Sequence, residues 1–143
     1  MPDDIRPQSS SQEHRKLAAI MFTDIKDYSK KMQKNESAAM RMLEIHNQMM
    51  RDTIGKHHGK VIKTVGDAFL VDFESVISAV ECAVACQENF LEYNKSKQED
   101  EIITIRAGVH LGDIIEKDND VFGDGVNIAS RIQSMAEPGG INI

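Results

Sequence analysis

The sequence predicts an α+β domain: one mixed β-sheet with helices packed against it. Three observations carry this. Short apolar runs of strand length, beginning with "KLAAIMF", alternate with longer segments whose apolar residues recur at helical spacing. Two of those runs, Val61-Ile62 and "AFLVDF", flank Gly66-Asp67, a tight-turn pair that makes them a hairpin. The chain has 143 residues, 41% hydrophobic and 28% charged, which suits a single core and a single domain.

Taken in order, residues 1–15 are polar, with two Pro and a Ser run, and read as a disordered lead-in to a domain over 16–143. "KLAAIMF" is a buried strand ended by "TDIKDYS". A long amphipathic helix follows, with Ala38, Ala39, Met42, Leu43, Ile45, His46, Met49, Met50 and Ile54 at helical spacing. Asn35 or Ser37 caps its start, and Gly55 or Gly59 ends it. After the hairpin, Ser75 caps a second helix whose apolar positions run from Val76 to Leu91. "NKSKQEDE" is a solvated loop. "IITIRAGVHLGDIIEKD" reads as two strands broken at Leu111-Gly112-Asp113. "FGDG" opens a third helix with a stripe of Val126, Ala129, Ile132 and Met135, ended by Pro138-Gly139-Gly140, and "INI" is a last strand. The order is β-α-β-β-α-β-β-α-β, with no internal repeat and no second domain.

Composition excludes some functions. A net charge of −6 argues against nucleic acid or an acidic membrane surface as partner. It leaves nucleotides open, because a metal ion reconciles carboxylates with phosphates. No run of about 18 apolar residues exists to span a membrane, and the N-terminus lacks the apolar centre of a signal peptide, so the expected location is the cytoplasm. Cys82 and Cys86 fall in an apolar helical pattern and read as reduced core thiols.

Several polar residues sit where packing does not ask for them. Asp24 directly follows an apolar strand, and Asp67 tips the hairpin. If those strands are neighbours, two carboxylates share one end of a sheet, and a divalent cation relieves their repulsion. Taken singly, each is an ordinary turn residue. Asn127 and Arg131, at i and i+4, share one face of the third helix, offset from its apolar stripe. A guanidinium suits a phosphate oxygen and an amide a sugar oxygen, although a solvated helix face reads the same way. Lys63 lies inside an apolar strand and Asp120 just before Val121-Phe122-Gly123; together a Lys donor and an Asp acceptor match a purine edge, and alone each is a surface charge.

Four blocks, "LAAIMFTDIKDYS", "GKVIKTVGDAFLVDF", "IRAGVHLGDII" and "DVFGDGVNIASRIQSMAEPGGI", resemble in order and spacing the class III adenylate/guanylate cyclase catalytic domain, in its bacterial form. The resemblance runs from about Arg15 to Ile143, and the signature loop of diguanylate cyclases is absent. It implies a ferredoxin-like mixed sheet with the family's last strands missing, together with a lysine for the terminal phosphates that those strands carry. It also implies roles. Asp24 and Asp67, with the Ile25 carbonyl, match the ligands of two Mg²⁺ or Mn²⁺ ions per site. Lys63 and Asp120 match the base-selecting pair in its adenine-preferring form, Asn127 the ribose-orienting residue, and Arg131 the arginine that stabilises the transition state. In the family each site is shared across a head-to-tail homodimer. The implied reaction converts ATP, rather than GTP, to cyclic AMP and pyrophosphate. The alternatives are a guanylate cyclase and a non-catalytic cyclase-like module that dimerises or binds nucleotide.

Overall fold

A computed structural model describes residues 13–118 and 120–143. Its elements are β1 (Glu13–Ile25), α1 (Tyr28–Lys34), α2 (Glu36–Lys56), β2 (Lys60–Val65), β3 (Ala68–Phe73), α3 (Val76–Asn94), β4 (Ile105–Lys117), β5 (Asp120–Phe122), α4 (Asp124–Ser134) and β6 (Ile141–Asn142), with a 3₁₀ turn at Glu99–Glu101. The strands form one sheet in the order β2-β3-β1-β4-β5, and β6 also pairs with β4. All pairings are antiparallel except β4–β6, so the sheet is mixed, as expected. Among the described residues no helix is long and apolar enough to cross a membrane.

Strand alternation divides the apolar residues between two faces. Ala19, Met21 and Ile25 of β1 join Phe69, Val71 and Phe73 of β3 and Ile105, Ala107 and Val109 of β4 on one face, under α2 and α3. Ala18 and Ile20 join Leu70 and Ile114 on the other, against Ala129 of α4. β1 is buried on both sides, which is why "KLAAIMF" reads as an unbroken apolar run. Cys82 and Cys86 are free and buried among the α3 residues of the first core. Their mutual hydrogen bond and their burial hold the Cys86 thiol well above the ordinary thiol range, which keeps it unreactive.

Three details differ from the sequence expectation. β1 begins at Glu13, so residues 13–15 of the expected lead-in are strand, paired with Lys117, Glu116 and Ile115; residues 1–12 lie outside the described residues. α1 is an additional helix between β1 and α2. It buries no residue, so it has no apolar stripe to announce it. Asn35 separates the two helices and caps α2, accepting a hydrogen bond from the Ala38 N–H at 3.1 Å. Finally, β4 is one strand of 13 residues with no break at Gly112. The glycines serve another purpose, close passage of α4. A Cβ on Gly108 would run into the Gln133 backbone, and one on Gly112 would lie 3.2 Å from the Gly125 Cα.

His46 of α2 is fully buried. Its ring stacks on Phe90 and meets Phe69 edge-on, at centroid distances of 5.7 and 5.6 Å. Nδ1 lies 2.9 Å from Asn47 Oδ1, while Nε2 has no hydrogen-bond partner among the described residues. Burial lowers its pKa below the ordinary 6.5, against smaller opposing effects of Asn47 and Asp67. The neutral ring is therefore the folded form. Its stabilising contribution is complete above the unfolded pKa and is lost as pH falls through the folded one. Denaturation midpoints of the wild type should fall as pH drops below about 6.5, and His46→Leu should flatten that segment of the profile. Parallel wild-type and variant profiles would show that His46 does not titrate on unfolding.

Candidate active site

Two residues reach one end of the sheet by different routes. Asp24 is carried by the last turn-ward residues of β1, opposite Arg106 of β4. Asp67 sits in the two-residue turn between β2 and β3, where Gly66 takes φ 62°, a conformation glycine adopts without strain. Because β3 pairs with β1, that turn lies beside the end of β1. The Ile25 N–H donates to Asp67 Oδ2 at 2.7 Å, which sets Asp67 beside the Asp24–Ile25 pair expected with it at a metal centre.

Sequence reasoning missed a fourth member. The Arg106 guanidinium forks onto Asp24, Nε to Oδ1 at 3.1 Å and Nη2 to Oδ2 at 2.8 Å. Its remaining nitrogen Nη1 donates to the Ser134 carbonyl at 3.4 Å, tying the end of α4 to the site. The hydrogen bond to Asp24 raises the Arg106 pKa, and the charges of Asp24, Asp27 and Asp67 raise it further. Burial raises the Tyr28 hydroxyl pKa, and the Asp67 charge adds to that. The available signal was a charge inside the apolar run "TIRAGV", the same oddity that singled out Lys63.

The donor set fits a hard divalent cation. Two carboxylates and a neighbouring main chain supply only oxygen ligands. Among the described residues no group of three or more His, Cys, Asp or Glu could hold an ion unaided. Two carboxylates is the count expected where water and substrate phosphates complete the shell, as they do for Mg²⁺.

Lys63 and Asp120 also meet. Nζ lies 3.0 Å from Oδ1 and 3.2 Å from Oδ2, although β2 and β5 are opposite edges of the sheet. The sheet coils strongly enough to bring its edges together there. Both side chains are partly exposed. Asn127 and Arg131 are exposed on α4, while Gly125, Ala129 and Gln133 of the same helix are buried. No hydrogen bond or ion pair between described residues links either side chain to Asp24 or Asp67. One chain thus assembles the Asp24/Ile25/Asp67 group and the Lys63/Asp120 pair, and presents Asn127 and Arg131 outward.

Residues 10–143 match the Adenylate and Guanylate cyclase catalytic domain. The chain belongs to this family, the class III nucleotidyl cyclases. This cyclase domain is 43% identical over 130 residues to putative adenylate cyclase 3 of Rhizobium meliloti, covering 90% of this chain and 22% of that protein. It therefore spans about a fifth of that relative's length. Among solved structures, an adenylate/guanylate cyclase/hydrolase from Silicibacter pomeroyi superposes with a TM-score of 0.83 at 32% identity, covering 90% of this chain and 76% of that one. The adenylyl cyclase CyaB from P. aeruginosa shares the fold, with a TM-score of 0.75 at 22% identity over 90% of this chain and 76% of that one.

Proposed function

We propose that the domain is an adenylate cyclase, turning ATP into cyclic AMP and pyrophosphate at a site shared by two copies of the chain. The observation that carries the reading is the convergence of Asp24, Ile25 and Asp67 at one sheet end, with Lys63 and Asp120 already paired and partly exposed. Asp24 and Asp67, with the Ile25 carbonyl, would hold two Mg²⁺ or Mn²⁺ ions. The chemistry those ions supply when bound is a lower pKa for the ribose 3′-hydroxyl and neutralisation of the phosphates. Arg106 holds the Asp24 carboxylate until a cation competes for it, and a guanidinium so released stands ready for a phosphate oxygen.

The remaining residues position and select. Asn127 would fix the ribose, and Arg131 would meet the charge that grows on the α-phosphate as the 3′-oxygen attacks in line and pyrophosphate leaves. Their outward placement supports a shared site: α4 would offer them to the aspartates of a second copy. A surface hollow of about 630 Å³ in the single chain, lined by residues such as Lys30, Lys34, Asn35 and Met42, contains none of the seven site residues.

Incubating the protein with ATP, and separately GTP, in Mn²⁺ tests the reading through the cyclic product. Cyclic AMP in excess is expected; cyclic GMP in excess would reassign the substrate, and no cyclic nucleotide at all would leave a binding module. Base choice should rest on Lys63 and Asp120, because a mismatched base leaves desolvated donors unpaired. Lys63→Glu with Asp120→Cys should lower the ATP/GTP ratio of kcat/KM by at least about tenfold. An unchanged ratio would remove the pair from base selection.

A further inference from the structure

Helix α3 has apolar residues on two sides. Ala79, Cys82, Ala83, Cys86 and Phe90 pack into the core. On its outer side, Ile77, Val84 and Leu91 recur every seven residues and are 71%, 40% and 67% exposed. A seven-residue repeat keeps all three on one line along the helix, over about 21 Å. Between them Val80 packs against the core and Gln87 turns inward, donating to the Ile105 and Gly140 carbonyls at 3.1 and 2.8 Å, so the outer line consists of the three aliphatics. Isolated exposed aliphatics are ordinary on protein surfaces, but three in register on one line of a helix mark contact with another body.

The charges beside the stripe identify what covers it. Glu81 and Glu88 follow it one turn apart from each aliphatic, both exposed and without an ion pair among the described residues. Glu92 is engaged by Lys95 at 3.1 Å. A second copy is a poor occupant. Antiparallel apposition about Val84 brings Glu81 of one copy toward Glu88 of the other, and parallel apposition sets the glutamates beside Val76, Ala83 and Phe90 of the other copy, with no basic partner. An anionic lipid surface is repelled by the same carboxylates. We infer that the outer face of α3 is a docking seam for a basic amphipathic helix of a partner domain, with aliphatic side chains in the seam and Lys or Arg beside Glu81 and Glu88. The seam shares none of the residues of the cyclase site, so it stands or falls independently of the proposed reaction.

The test uses a synthetic three-heptad peptide with Leu and Ile in the seam, Lys on both flanks and one Trp, beside a counterpart with Glu on the flanks. The chain has no Trp, so peptide fluorescence reports binding directly. The Lys peptide should bind at least about tenfold more tightly than the Glu peptide, and less tightly as salt is raised. Val84→Glu should abolish binding, with folding checked by circular dichroism. Glu81→Lys with Glu88→Lys should reverse the preference between the peptides. Binding of neither peptide, equal binding of both, or self-association of the chain that Val84→Glu removes would each overturn the inference, the last by making a second copy the occupant.

Discussion

If the proposed metal centre is right, Asp67→Ala and Asp24→Ala should each lower cyclase turnover by at least about a hundredfold, because each would remove a ligand from a centre that would hold both phosphates and the 3′-oxygen. The two variants differ in what they leave behind. Asp67→Ala orphans the Ile25 N–H, which now donates to Oδ2 at 2.7 Å. Asp24→Ala leaves the Arg106 guanidinium without its fork, on a part-buried stretch of β4. Loss of activity could then come from loss of structure, so the measurement pairs turnover with Mn²⁺ binding by electron paramagnetic resonance and with thermal unfolding. The expected pattern is weak Mn²⁺ binding with cooperative unfolding retained. Near-normal turnover in either variant would remove that aspartate from the metal centre. Normal Mn²⁺ binding with turnover lost would move it from ligand to another role.

Arg106→Ala separates metal binding from catalysis in the opposite direction. With Asp24 as a metal ligand, as proposed, the guanidinium would compete with the cation for it, so its removal should tighten Mn²⁺ binding even if turnover falls. This test reads the free protein and needs no substrate.

The site was legible in the sequence to the extent that it is built from residues in the wrong company. Asp24 at the end of an apolar strand, Asp67 at a turn tip and Lys63 within a strand all stood out, and the structure bonds Asp67 to Ile25, next to Asp24, and pairs Lys63 with Asp120. Arg106, a charge within an apolar run like Lys63, went unread and gains a meaning only from register, because nothing in the sequence sets it opposite Asp24. The same limit applies to Lys63 and Asp120: strand order puts them on opposite edges, and only the coiling of the sheet joins them. In the fold, helices with an apolar stripe were readable, as were the caps at Asn35 and Ser75. α1 was not, since it buries nothing. Gly112 misled because a glycine that breaks a strand and a glycine that admits a neighbouring backbone look alike in sequence. Its contact with Gly125 of α4 is a tertiary fact.

Mixing two inactive variants should restore activity if the site is shared between copies. Asp67→Ala spoils the metal half and Arg131→Ala spoils the half that α4 presents, so each homodimer carries two broken sites. In a mixed dimer the Arg131→Ala chain still offers Asp24 and Asp67, and the Asp67→Ala chain still offers Asn127 and Arg131. One site is then whole and the other doubly broken. With random exchange half the dimers are mixed, so about a quarter of wild-type sites should return. The exposure of Asn127 and Arg131, away from the buried Ala129 and Gln133, is what makes this outcome expected. Exchange must be shown independently, for example by energy transfer between labelled chains. If exchange is complete and activity stays at the level of the separate variants, both residues serve one chain's site. α4 would then have to turn its exposed face toward its own Asp24, through a movement that breaks the Arg106–Ser134 contact at 3.4 Å.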